Sequence, residues 1–189
     1  QEIYKEIMAM RRKINKLLEL ISFYFYNRIM QSRLPLDEDK IVFASEARDS
    51  IKGNLKAVYD ELPSSLDKVI HIKSDRRENV TPEERKSLWR DLTTARVIVL
   101  DDYFGLVSAM KVREGQHLLQ LWHGAGAFKK FGYSRTNSGD SVKNIHSGYR
   151  KYTKAITTAE SIRGCYAEAF GIDISKVWAS GTPRSDMFF

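Results

Sequence analysis

The sequence predicts an α/β fold in which one parallel sheet carries helices on both faces, preceded by a single long N-terminal helix. Two observations predict this arrangement. Short apolar runs alternate with helical segments from residue 41 onward, a pattern typical of parallel strands joined by crossover helices. Residues 3–33 contain neither Pro nor Gly, so one uninterrupted helix can form there. A chain of 189 residues can bury one sizeable core, and we therefore expect a helix over 1–35 and one domain over 36–189.

The N-terminal helix is predicted from apolar residues spaced three and four positions apart, which form one stripe along a helix. They are Ile3, Ile7, Met10, Ile14, Leu17, Leu18 and Ile21. An aromatic segment follows at residues 23–26, with lysines and arginines on both sides of it. Such a pattern suits a membrane surface, and docking on the protein's own domain or on a partner helix is the equal alternative. Nucleic acid is not an expected partner, because no recognition motif accompanies the charge.

The predicted elements of the main domain follow a linker at residues 35–40. Strands are expected at residues 41–45, 68–73, 96–100, 117–122, 154–159 and 177–180, and helices at 54–62, 81–92, 106–111 and 161–170. Thr81 and Pro82 predict the capped start of one helix, and Gly171 predicts the end of another. The alternation is that of a Rossmann-like sheet.

Functional side chains are expected at one rim of this sheet, because the loops that follow parallel strands gather outside the carboxyl ends of the strands. The segments that follow predicted strands are 45–48, 101–103, 123–124 and 181–184. Together they supply one histidine, several carboxylates and several cations. The sequence therefore places the candidate site at this rim.

The composition limits the classes of partner that the chain is expected to bind. The 31 Lys and Arg against 24 Asp and Glu give a net charge of +7, which suits phosphates or anionic lipid headgroups. The single cysteine, Cys165, cannot form an internal disulfide, which indicates a reducing cytoplasm. Asp101 and Asp102 could bind a metal together with a third ligand, but adjacent residues of an extended segment point to opposite sides, so a helix-start or turn role is expected for them. His71 and His117 are expected to pack within strands, and no metal or cofactor is predicted.

Two motifs give the chain a family resemblance. Trp122-His123-Gly124 follows an apolar run and precedes Lys129 and Lys130, and the segment Gly181-Thr182-Pro183-Arg184-Ser185-Asp186 follows a later strand. In this order the motifs resemble the CDP-glycerol glycerophosphotransferase family of teichoic-acid primases and polymerases. The resemblance covers roughly residues 40–189 and includes the apolar strand at 41–45 and the segment at 54–59.

This resemblance implies the N-terminal, acceptor-side half of a two-domain glycosyltransferase-B architecture, with the donor-binding domain outside this chain. The full-length enzyme would transfer glycerol phosphate from CDP-glycerol to a hydroxyl of a lipid-linked, phosphate-containing acceptor, in the cytoplasm at the inner face of the cell membrane. His123 would be the catalytic base, since imidazole titrates close to neutral pH. The chain alone is expected to be inactive.

Two further functions stay open on the sequence. One is a ribitol-phosphate or other polyol- or sugar-phosphate transferase of the same build. The other is a non-catalytic module that binds a membrane or a partner.

The charged candidates for substrate binding lie in the two motifs and in the loop between them. Lys129, Lys130 and Arg135 would bind the phosphate of the acceptor, or they form a solvated basic loop. Arg184 would contact phosphate, or it pairs with Asp186 and fixes the turn.

The remaining candidates are uncharged at neutral pH. Trp122 offers a packing or stacking surface, and Gly124 allows close approach of the backbone. Gly181 belongs to a hinge that shapes the cleft. His146 would touch the acceptor or face water.

Overall fold

A single sheet organises the computed structural model, which describes residues 1–72, 80–138 and 147–188. Its strands are β1 (Asp37–Ser45), β2 (Asp67–Ile72), β3 (Ala95–Leu100), β4 (His117–Gln120), β5 (Lys154–Ile156) and β6 (Val177–Trp178). They lie in the order β2-β1-β3-β4-β5-β6, and all neighbours are parallel. The predicted parallel sheet is confirmed.

Four α-helices accompany the sheet in the described part of the chain. They are α1 (Glu2–Gln31), α2 (Asn54–Glu61), α3 (Pro82–Thr94) and α4 (Arg163–Phe170). Successive residues of β1 face opposite sides, so that Phe43 packs with Leu55 of α2 while Val42 lies in the cluster that contains residues of α1, α3 and α4. The helices therefore cover both faces, as predicted.

The start of α3 and the end of α4 follow the predicted signals. Thr81 Oγ1 accepts the backbone N–H of Glu84 at 3.1 Å, and Glu84 Oε2 accepts the backbone N–H of Thr81 at 2.9 Å. This reciprocal pair satisfies two backbone donors that the first turn of a helix leaves unpaired. Gly171 ends α4 in the left-handed conformation with φ 64°.

Several strand boundaries differ from the prediction. β1 begins at Asp37, inside the predicted linker, because Asp37 pairs with Ala95 at the start of β3. β4 ends at Gln120, whose side-chain oxygen accepts the backbone N–H of Trp122 at 2.8 Å and so turns the chain out of the sheet. β5 ends at Ile156, three residues before the predicted end. The predicted end of the second strand, residue 73, lies outside the described residues.

The C-terminal part of α1 docks on the domain, beginning where Glu19 Oε1 lies 3.7 Å from Arg85 Nε and Leu20 packs against the core. Phe23 is wholly buried, with its ring centroid 5.7 Å from that of Trp89. Asn27 Nδ2 donates to Thr93 Oγ1 at 3.1 Å, and Asn27 Oδ1 accepts the backbone N–H of Lys111 at 2.9 Å. A rotation of about 100° per residue puts the stripe of apolar residues on roughly the opposite side of the helix from these contacts.

The stripe is exposed. Its members are between 44% and 73% exposed: Ile3, Ile7, Met10, Ile14, Leu17, Leu18 and Ile21. Among the described residues, no helix combines the length and the apolar character needed to cross a membrane.

The predicted packing role of two histidines is wrong. His71 Nε2 lies 2.9 Å from Asp91 Oδ2, and Lys40 Nζ lies 3.3 Å from Asp91 Oδ1. Burial would raise the pKa of Asp91, but its bonds with His71 and Lys40 outweigh burial and lower it. His71 thus joins β2 to α3 through a charged group, and His117 is exposed on β4.

Close backbone packing at Gly132 generates a stability prediction. Gly132 has φ 52°, and a Cβ added there would lie 2.0 Å from the carbonyl oxygen of Ala169 in α4. Gly132→Ala should lower the free energy of unfolding by about 3 kcal/mol, because left-handed strain and the collision add. The matched control is Gly164→Ala within α4, where an added Cβ meets nothing within 4 Å. Urea titration measures both, and equal stability of the two variants would contradict this packing.

Candidate functional site

A cleft of about 250 Å³ lies beyond the carboxyl end of β4. Its lining is Trp122, His123, Gly124, Ala125, Gly126, Phe128, Lys129, Phe131 and Arg184. The cleft therefore combines one imidazole, two cations and aromatic surface at the rim where the sequence places the site.

The backbone at Trp122 makes the sharp turn that forms the cleft. Trp122 has φ 54° and is the only non-glycine residue with positive φ among the described residues. Its indole is 7% exposed, stacks on Phe131 at 4.6 Å and meets Phe170 edge-on at 5.4 Å. Burial of an indole contributes about 4 kcal/mol, more than the roughly 1–3 kcal/mol cost of the left-handed backbone. Packing therefore stabilises the turn.

The imidazole of His123 is held from two sides. Its ring stacks on the Trp122 indole, with centroids 4.5 Å apart and planes 27° apart. Nδ1 lies 3.2 Å from the backbone oxygen of Asp101 and 3.6 Å from Oδ2 of Asp102. Both oxygens are acceptors, which assigns the proton of the neutral ring to Nδ1 and leaves Nε2 able to accept one. With its side chain 33% exposed, His123 can reach a molecule in the cleft.

Side chains from distant elements hold the carbonyl groups of the loop. Asn54 Nδ2 donates to the oxygen of Trp122 at 2.7 Å, and Arg184 Nη2 donates to the oxygen of His123 at 3.2 Å. Asn54 Oδ1 also accepts the backbone N–H of Arg184 at 3.2 Å. The two motifs that carry the family resemblance are thus joined directly and through the Asn54 amide.

The next turn of the same loop is held by a tyrosine. Tyr166 Oη on α4 lies 2.8 Å from the oxygen of Gly124 and 3.2 Å from that of Gly126. The loop therefore contacts side-chain donors from α2, α4 and the segment after β6.

An ion pair lies where the strand order reverses. β1 lies between β2 and β3, and the crevice at such a switch point is where sheets of this class bind ligands. Arg48, which follows β1, donates from Nε to Oδ2 of the wholly buried Asp101 at 2.8 Å. Asp101 therefore pairs with a cation and also presents its backbone oxygen to His123.

The comparisons with known proteins decide the family. Residues 26–189 match the family described as CDP-Glycerol:Poly(glycerophosphate) glycerophosphotransferase. The chain belongs to this family. The resemblance that the two motifs indicate is thereby confirmed.

Two proteins that are similar to this chain are longer than it. A teichoic acid poly(ribitol-phosphate) polymerase of Bacillus spizizenii is 38% identical over 188 residues, covering 98% of this chain and 30% of that protein. The teichoic acid ribitol-phosphate polymerase TarK of Staphylococcus aureus is 39% identical over 159 residues, covering 79% of this chain and 30% of that protein. The chain thus spans less than a third of the length of either relative.

A solved structure of the wall teichoic acid polymerase TagF has the same fold. The TM-score is 0.69 at 15% identity, over 96% of this chain and 49% of that one. This likeness confirms the predicted fold class, the N-terminal part of a glycosyltransferase-B-like architecture with a long first helix.

Five of the nine candidate residues line the cleft together. They are Trp122, His123, Gly124, Lys129 and Arg184. Their roles in binding and chemistry stay predictions, but their juxtaposition is a fact of the fold. Sequence reasoning missed Asn54 and Tyr166, because nothing near either residue in the chain indicates a partner forty or more residues away.

The other four candidates lie elsewhere. Lys130 and Asp186 are exposed outside the lining of the cleft, and the backbone N–H of Gly181 donates to the oxygen of Thr157 at 3.1 Å. Arg135 lies near Tyr149, whose pKa burial raises to about 12 while the charge of Arg135 opposes the rise. His146 lies outside the described residues, and within them no cluster of three or more His, Cys, Asp or Glu could hold a metal ion.

The ion pair of Arg48 with the buried carboxylate of Asp101 generates a second prediction. Arg48→Met should lower the free energy of unfolding at neutral pH by about 3 kcal/mol, because it leaves the Asp101 carboxylate buried without its cation. Adding Asp101→Asn to this variant should restore much of the loss, since the uncompensated charge is then gone. Urea titrations of the single and double variants measure both effects. A double variant no more stable than Arg48→Met would contradict this account.

Proposed function

We propose that the protein carrying this chain transfers a polyol phosphate from a CDP-activated donor to a hydroxyl of a phosphate-bearing acceptor, with His123 as the general base. One observation carries the proposal: an oriented imidazole whose Nε2 can accept a proton shares a cleft with Lys129 and Arg184. A base and nearby cations are what phosphoryl transfer to a hydroxyl requires.

The proposed reaction uses these groups in one displacement. Nε2 of His123 takes the proton of the acceptor hydroxyl, and the oxygen forms a bond to the phosphorus that carries the polyol. The bond from that phosphorus to the oxygen of CMP breaks, and CMP leaves with the electron pair. Negative charge builds on the phosphoryl oxygens, where Lys129 and Arg184 would stabilise it. The Asp101 carbonyl and the Asp102 carboxylate would stabilise the imidazolium that forms.

The chain would supply the acceptor side of the reaction. In this proposal the nucleotide of the donor binds mainly in sequence outside the chain, which is consistent with the greater length of both relatives. Lys130 and Arg135 would then attract a phosphate-bearing acceptor at longer range, since both are exposed and Lys130 directly follows Lys129 of the cleft.

Ribitol is the polyol we propose, because both relatives named above are ribitol-phosphate polymerases at 38% and 39% identity. Glycerol, which the motifs predict through the resemblance, is the alternative that the family's description supports.

The role of His123 is tested by His123→Ala in the intact protein, with His117→Ala as the matched control because His117 is an exposed histidine on β4. Transfer of labelled polyol phosphate to a lipid-linked teichoic-acid acceptor should fall about 10³-fold for His123→Ala, as expected for loss of a general base, and stay within about twofold for His117→Ala. Equal rates for both variants would remove His123 from the mechanism. A protein that binds the acceptor yet transfers no polyol phosphate would favour a binding module.

The donor is tested in the same assay with CDP-ribitol and CDP-glycerol in parallel. We expect kcat/KM to favour CDP-ribitol by at least about tenfold, because the polar groups of a site that bonds the extra hydroxyls of ribitol are left unpaired when the shorter glycerol binds. A preference for CDP-glycerol would contradict ribitol and support glycerol, the polyol that the motifs predict.

We also propose that α1 lies on an anionic membrane, which would bring the cleft to a lipid-linked acceptor. The support is the exposed apolar stripe, which faces away from the domain, together with the basic residues Arg11, Arg12, Lys13 and Lys16 along the same helix.

Sedimentation with vesicles that contain an anionic phospholipid tests the surface. Ile14→Asp should reduce binding at least about tenfold, because it puts a carboxylate in the apolar stripe. Asn15→Asp is the matched control, since it adds the same charge beside the stripe without removing an apolar side chain. Equal binding by both variants would argue against membrane contact through this face and favour a partner helix.

A further inference from the structure

Asn54 stands out among the buried polar residues because both ends of its amide are used far from its own helix. It is the first residue of α2, but Gly53 occupies the cap position and no side chain caps this helix. Asparagine near a helix start ordinarily bonds to the backbone of the first turn. The 4% exposed side chain of Asn54 instead donates to Trp122 and accepts from Arg184.

The bond to Trp122 acts on the peptide group that leads directly into His123. The Nδ2 to oxygen distance is 2.7 Å, and the carbonyl belongs to the residue with φ 54°. A change in ψ of Trp122, which would break this bond, would move the Cα of His123 and, with it, the contact of Nδ1 with the Asp101 oxygen. The Asn54 amide therefore fixes a peptide that the orientation of the imidazole depends on.

The bond to Arg184 fixes the same unit from the other side. Asn54 Oδ1 accepts the backbone N–H of Arg184, and the guanidinium of Arg184 donates to the His123 oxygen. Two consecutive carbonyls of the loop are thus held by two residues that also bond to each other.

We propose that Asn54 is a positioning residue for His123, and that its amide N–H is required to hold the imidazole in the geometry for proton abstraction. The inference rests on the proposed function, in which His123 is the base. Aspartate can replace the oxygen of this amide but, when ionised, cannot replace its N–H. It would place a carboxylate against the Trp122 carbonyl, acceptor against acceptor.

The test compares Asn54→Asp and Asn54→Ala with the parent in the intact protein. At pH 8 both variants should lose kcat about 10- to 100-fold with KM for the donor nearly unchanged, because a misplaced base slows chemistry rather than binding. As the pH is lowered to 5, the ratio of Asn54→Asp to parent kcat should rise at least about fivefold, since burial raises the pKa of the new carboxyl and its protonated form can donate again. The ratio for Asn54→Ala should stay flat.

A second readout does not depend on turnover. In protein labelled with ¹⁵N-histidine, the His123 signals, assigned by their loss in His123→Ala, should report the Nδ1-protonated ring in the parent and a mixture of tautomers in Asn54→Ala. Circular dichroism establishes that each variant is folded at the assay temperature.

The outcomes separate the two proposals. Full activity in His123→Ala would overturn the proposed function, whatever Asn54 does. Loss of activity in His123→Ala with parental kcat in Asn54→Asp at pH 8 would overturn only the positioning role. Unchanged His123 signals in both Asn54 variants would overturn it as well, even if no donor supports turnover.

Discussion

Burial of the Trp122 indole is the interaction on which the geometry of the cleft depends. The ring fills the space between α4 and the turn that contains Phe131, and the backbone accepts a left-handed conformation to place it there. That conformation turns the chain out of β4, so the next side chain, His123, projects at the rim and stacks on the same ring. A smaller apolar side chain would bury less area and would not offset the strain. The packing of the Trp122 ring in the core therefore also sets the position of His123 in the site.

The order of the strands explains why acidic and basic groups meet beside this turn. β1 and β3 are neighbours, and their following loops bring Arg48 and Asp101 into contact across the switch point. β4 is the next strand, which puts His123 within reach of the backbone of Asp101. The ion pair of Asp101 with Arg48 fixes the segment that orients the imidazole, so the carboxylate of Asp101 affects the site by holding this segment in place. Its carboxylate bonds to Arg48, while its carbonyl bonds to His123.

The sequence predicted regular features well because they depend on local patterns. The capping box at Thr81 and the alternation of apolar runs need only neighbouring residues, and both are confirmed. The predictions are wrong where tertiary contacts override the conformation that the local sequence prefers. The sequence predicts Trp122 at the end of an apolar strand. In the structure Trp122 lies in a turn instead, because its ring packs in an aromatic cluster of residues that are distant in the chain. Asn54 is predicted only as the start of a helix. Its hydrogen-bond partners lie 68 and 130 residues away, and no pattern in the neighbouring sequence indicates them.

The loop at residues 121–131 has no regular secondary structure, so its conformation depends on bonds that other elements supply. Asn54, Arg184 and Tyr166 each bind carbonyls of this loop, and a hydrogen bond of this kind contributes about 1 kcal/mol net. Three such contributions are small beside the roughly 5–15 kcal/mol by which a domain is stable, but they match the roughly 1–3 kcal/mol strain at Trp122. Losing one of them would leave the sheet folded and still change the local conformation of the loop. Because the imidazole follows the backbone, the accuracy of the site depends on these carbonyl contacts far more than the stability of the fold does.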